Sequence, residues 1–135
     1  ITFSPIPLVE IAPDHSFDVD LPGGNQTVML AGSTAYVTMV VNNTGNTNTT
    51  MSMNVMQVPH GWSVSLFIQG GDEDNATNLL EMMVPYDEGV IVVIKVSDLE
   101  GEGARNWDLL VETKSFNSNG SVYHSEEQIF TFIVE

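Results

Sequence analysis

Alternation of apolar and polar residues with a period of two recurs throughout the chain, and no segment longer than about ten residues carries apolar spacing at 3.6. That pattern calls for strands and leaves room only for single helical turns. In TAYVTMVV, Ala35, Val37, Met39 and Val41 share one face against Thr34, Tyr36 and Thr38. Met51, Met53 and Val55 oppose Ser52 and Asn54. Trp62, Val64, Leu66 and Ile68 oppose Ser63 and Ser65, and Trp107, Leu109 and Val111 form a further apolar face. GVIVVIKV, from Gly89, is a nearly unbroken β-branched run, the mark of a central strand covered on both faces. With TVML near residue 28, LLEMMV near residue 81 and the closing QIFTFIV, the chain offers about eight strands. Turn residues separate them at Pro22 to Gly24, Asn43 to Asn46, Pro59 to Gly61, Gly70-Gly71, Asp87 to Gly89, Gly101 to Gly103 and Asn117 to Gly120.

Short strands at this spacing describe an all-β sandwich or barrel; the sandwich is preferred, with Trp62 and Trp107 on opposed inward faces supplying large buried area to a core of Val, Ile, Leu and Met. A length of 135 residues suits one domain. The expected division is an extended segment over 1–12, followed by the sandwich over 13–135.

Three Lys plus Arg against 18 Asp plus Glu give a net charge of −15. A chain so acidic repels phosphate backbones and anionic membrane surfaces, so nucleic acid is not expected as a partner. No run reaches the roughly 20 apolar residues of a spanning helix, and membrane insertion is not expected either. With no cysteine, disulfides and thiolate metal sites are excluded. The first residue is Ile rather than Met, which fits a processed or excised chain.

The run VTMVVNNTGNTNTTMSMNVMQVPHGWSVSLF resembles the immunoglobulin-like modules of archaeal and bacterial extracellular proteins, of the α-galactosidase-associated and cell-adhesion-related types. Asn43, Gly45 and Asn46 match the Asn-x-Gly-Asn that ends one strand, and Pro59, Gly61 and Trp62 match the Pro-x-Gly-Trp that opens another. MMVPYDEGVIVVIKV is similar to the strand, acidic Gly turn, strand unit of the same modules, and the likeness covers roughly residues 27 to 115. It implies an immunoglobulin-like β-sandwich of about eight antiparallel strands and an archaeal source, and it implies no activity.

Gly45 is expected to take a positive φ in its turn, with Asn43 and Asn46 bonding the local backbone. The same stretch carries glycosylation sequons. Asn-x-Ser/Thr occurs at Asn25, Asn42, Asn48, Asn75 and Asn119, each at or beside a predicted turn. Either these are turn and sheet-surface residues alone, or N-linked glycans are partners of the fold.

Asp72, Glu73 and Asp74, followed by Asn75, gather hard oxygen donors in one loop and are weak calcium candidates, because the spacing of a calcium hand is missing. Asp14, Asp18 and Asp20 form a similar acidic cluster. Apart from calcium no cofactor is expected. His15, His60 and His124 stand singly, and no nucleophile elbow or phosphate-cradling loop occurs, so enzyme activity is not expected.

The opening ITFSPIPLVEIAP is apolar and broken by Pro5, Pro7 and Pro13, which forbid a helix and suit an edge strand. It is either the first strand of its own sandwich or a strand given to a neighbouring copy, with Ile1, Phe3, Ile6 and Leu8 as the assembly residues. Two functions remain: an extracellular structural subunit of a filament or surface layer, polymerising with copies of itself, or a carbohydrate- or protein-binding module of a larger secreted protein.

Overall fold

The computed structural model describes residues 12–71, 77–101 and 105–135. Among them the chain forms β1 (Phe17–Asp20), β2 (Gln26–Met29), β3 (Thr34–Asn43), β4 (Thr49–Gln57), β5 (Trp62–Ile68), β6 (Leu79–Val84), β7 (Gly89–Asp98), β8 (Arg105–Phe116) and β9 (Val122–Val134). Two sheets face each other, one in the order β1-β3-β7-β5, the other β2-β9-β8-β4-β6. This is an all-β sandwich of immunoglobulin-like arrangement.

Two details depart from the sequence expectation. β1 is an additional strand, too short and too acidic (FDVD) to stand out, that pairs antiparallel with β3. β2 runs parallel to β9, from Gln26 beside Thr131 to Met29 beside Val134, while all other named pairings are antiparallel. The stretch from β1 to β2 therefore serves both sheets in turn, which requires a crossover between them. Gly24, at positive φ, turns the chain there by donating its N–H to the Leu21 carbonyl at 2.9 Å.

The alternating residues occupy the interior as their period demands. Val37, Met39 and Val41 of β3, Val92, Ile94 and Val96 of β7 and Leu66 of β5 meet Met51 and Met53 of β4, Leu109 and Val111 of β8, and Phe130 and Phe132 of β9. β7 lies between β3 and β5, and on its outer face Val93 is buried while Ile91 remains partly exposed. Trp62 and Trp107 reach across from opposite sheets, with ring centroids 6.0 Å apart, and Phe132 meets Trp62 edge-on at 5.5 Å.

Where β3 begins and β7 ends, Asp98 is 6% exposed and ties two turns together. Its carboxylate accepts the Gly32 N–H and the Gly101 N–H, each at 3.0 Å. Both glycines have positive φ. The Gly32 amide chiefly holds the Asp98 carboxyl below the ordinary 3.8.

Trp62→Ala should cost about 3–5 kcal/mol in urea unfolding, the range for removing a buried aromatic ring. Acid unfolding should report Asp98. A depressed carboxylate contributes stability that is present above pH 3.8 and is lost as the pH falls through its folded value. Asp98→Asn should lower the melting temperature at neutral pH and flatten the loss below pH 4.

Candidate assembly interface

The stretch Asn43 to Asn46 holds the start of the described chain. β1 pairs with β3 from Asp20 beside Val40 to Phe17 beside Asn43. The pairing continues in unbroken register past the end of the strand: the Thr44 N–H donates to the Ser16 carbonyl at 3.1 Å, and the Asn46 N–H to the Asp14 carbonyl at 3.0 Å. The Asn46 side chain closes this clamp, accepting the Asp14 N–H at 2.6 Å and donating Nδ2 to the Ala12 carbonyl at 3.0 Å. The Asp14 carboxylate accepts from the Ser16 amide and hydroxyl and, at 3.0 Å, from the Tyr123 hydroxyl of β9. These donors, Ser16 first, hold the Asp14 carboxyl below its usual range.

Gly45 differs from expectation. It is absent from the positive-φ glycines of the chain. What demands glycine there is close approach: a Cβ would overlap the Asp14 carbonyl. Asn43 behaves as expected of a turn residue but is buried, at 5% exposure. Its Nδ2 donates to the Thr47 carbonyl at 2.8 Å and the Val84 carbonyl at 3.0 Å, while its Oδ1 accepts the Gly45 N–H at 3.0 Å.

Beside the clamp, His15 is buried and its Nδ1 lies 2.8 Å from Thr49 Oγ1. Its ring meets Tyr123 edge-on at 5.6 Å, and Phe17 packs on His124 at 4.9 Å. Residues 12–17 are thus seated on both sheets, at the seam between β1 and β9.

β9 is 13 residues long, but β2 covers its outer edge only from Thr131 to Val134. From Val122 to Phe130 its single described strand neighbour is β8. On its inner face this stretch carries half-buried His124, Glu126 and Gln128, where the neighbouring stretch carries buried Phe130 and Phe132. Thr113 and Ser115 of β8, opposite Glu126 and His124, are fully buried, and among the described residues neither hydroxyl has a hydrogen-bond partner. Sequence reasoning missed this seam, because no residue pattern tells how far β2 extends along β9.

Among the sequons, Asn25, Asn48 and Asn119 are exposed. Asn48 Oδ1 accepts the Tyr86 N–H at 2.8 Å, and Asn119 Oδ1 accepts the amide of Ser121, its own sequon hydroxyl residue, at 3.0 Å. Asn42 is half-buried in β3, and its Nδ2 donates to Asp20 at 3.0 Å. Asn75 and the calcium candidates Asp72, Glu73 and Asp74 lie outside the described residues, as do Ile1, Phe3, Ile6 and Leu8. The structure does not bring Asp14, Asp18 and Asp20 together as a ligand set: Asp14 serves the clamp and Asp20 holds Asn42. Among the described residues no group of three or more His, Asp or Glu side chains could hold a metal ion, and no helix is long and apolar enough to cross a membrane.

Gly45→Ala should cost about 1–3 kcal/mol, the usual range for overpacking, because the added methyl must displace Asp14 backbone. Urea unfolding measures the loss. Amide exchange should quicken at Thr44 and Asn46, the two donors of the clamp.

No protein-family model matches the sequence, and no curated protein matches it. Solved structures do resemble it. The PapD-like (ASH) domain 7 of human CEP192 superposes with a TM-score of 0.54 at 9% identity, covering 100% of this chain and 94% of that one. The N-terminal domain of PorA gives 0.56 at 8% identity over 89% of this chain and 98% of its own. AggA, the major subunit of aggregative adherence fimbriae type I from Escherichia coli, gives 0.50 at 10% identity over 94% and 98%. At these identities the likeness shows the fold alone: the chain is an immunoglobulin-like β-sandwich.

Proposed function

We propose that the chain is a non-enzymatic building module of an extracellular surface assembly, joined to copies of itself through the segment 1–11 and carrying N-linked glycans. The observation that carries this reading is the clamp. It carries the β1 register on as far as Asp14 and Asn46 and holds the Ala12 carbonyl in the same line, immediately after the segment 1–11. That segment is apolar at Ile1, Phe3, Ile6 and Leu8, and burying each in a neighbour would contribute about 1.5–3 kcal/mol before ordering costs. The fold is shared with the fimbrial subunit AggA, which gives the reading a precedent in kind. The resemblance to archaeal extracellular modules belongs to it as well.

Glycans belong at the exposed sequons Asn25, Asn48 and Asn119, whereas Asn42 commits its amide to Asp20. Charge sets the conditions. At −15, copies repel at low ionic strength, so joining should strengthen with salt as the Debye length shrinks from roughly 10 Å at 0.1 M to about 3 Å at 1 M.

The test is light scattering at rising concentration in 1 M salt, on the full chain and on a chain lacking residues 1–11. The full chain should form large species and the truncated chain should stay a folded monomer. A full chain that remains monomeric contradicts the reading. Mass spectrometry of natively produced protein should show glycan mass at Asn25, Asn48 or Asn119, and bare peptides at all three would remove the glycan part.

A further inference from the structure

We propose that the outer edge of β9 from Val122 to Phe130 is the acceptor for the segment 1–11 of a second copy, which adds there as an antiparallel strand. The inference rests on the assembly reading above and names its docking surface.

The edge has defined polarity. The Thr131 N–H donates away from β8, to the Asn25 carbonyl at 2.7 Å, and the Glu135 N–H to the Met29 carbonyl at 2.9 Å. Because strand backbone alternates, Ser125, Glu127 and Ile129 present their N–H and C=O groups to that same side, beyond the reach of β2. Such an edge is a template for strand pairing. Its side chains fit a partner too: Ile129 is 55% exposed and stands opposite Leu110 on an outer face that also carries Asp108, Glu127 and the Glu112–Lys114 ion pair.

The segment 1–11 is suited to pairing on one side only. Pro5 and Pro7 have the same parity, so in an extended strand their missing N–H groups fall on one edge, and Thr2, Ser4, Ile6, Leu8 and Glu10 present theirs to the other. In antiparallel pairing, opposed residues share a face. The even-numbered residues then lie on the outer face, with Ile6 and Leu8 available to Ile129. The odd-numbered ones, Ile1, Phe3, Val9 and Ile11 with both prolines, turn to the seam where Phe17 packs on His124. The four assembly residues thus divide between two faces. Eleven extended residues reach up to about 36 Å, enough to cover the nine from Val122 to Phe130, at about 3.3 Å each.

A second copy is favoured over the chain's own segment by the clamp. Ala12 and Asp14 are held in line with β1, so a segment returning along its own β9 must reverse within the residues around Pro13.

The test uses Glu127→Pro and engineered cysteines in a chain that has none. Glu127→Pro removes an N–H that serves only the open edge. It should leave the melting temperature within a few degrees of the parent and abolish the large species in 1 M salt. Ser4→Cys combined in turn with Ser125→Cys, Glu127→Cys or Ile129→Cys should, on oxidation, give a disulfide-linked ladder in at least one register. A disulfide closed within a single chain would overturn the second-copy assignment, and no disulfide in any register would overturn the edge. If the parent assembles and Glu127→Pro assembles equally well, the acceptor lies elsewhere while the assembly reading stands. If the parent stays monomeric, both fall.

Discussion

The buried amide of Asn43 is the point on which this end of the sandwich depends. It stands at the last position of β3, in one sheet, and donates to the carbonyl of Val84, in the other. The same amide holds Thr47, and its oxygen holds Gly45, so the turn has one conformation. A buried amide with its donors and acceptor engaged stabilises only in that geometry, and without its partners it would cost about 1–3 kcal/mol. Once the turn is fixed, Thr44 and Asn46 present donors to the carbonyls of Ser16 and Asp14, and the path of the entering chain is set. A local polar knot thereby fixes the course of residues 12–17.

How much of this the sequence disclosed differs from residue to residue. The strands were readable where alternation is strict, as in β3, β4 and β8, because a half-buried strand must repeat every two residues. β1 was not, since two of its four residues are Asp and its pairing is decided by the register of the clamp. Nor was the parallel β2–β9 pair, which depends on a crossover rather than on composition. Asn43, Gly45 and Asn46 read as turn residues, yet the demand for glycine at 45 comes from Asp14, more than 30 positions earlier, and long-range closeness leaves no local mark. The seam at β9 was hidden for the same reason. Strand edges are a property of the sheet, and Ser125, Glu127 and Ile129 read as an ordinary exposed face.

Charge and edge act together in the account. In the proposed assembly, carboxylates on the outer face of the larger sheet, at Asp108, Glu127 and Glu81, would keep copies apart laterally, while the backbone of a strand edge carries no net charge. Association confined to that edge is directional and heterologous, since the donor segment and the acceptor edge are different surfaces, and such a contact propagates into a chain of subunits unless its rotation closes a ring.

The most direct measurement is residue-resolved amide exchange on the full chain at low and high concentration in 1 M salt. The account predicts slow exchange at Thr44 and Asn46 throughout, because the clamp belongs to the single subunit. It predicts fast exchange at Ser125, Glu127 and Ile129 in dilute solution, slowing as subunits join. Protection at those three amides that does not change with concentration, or fast exchange at Thr44 and Asn46, would contradict it.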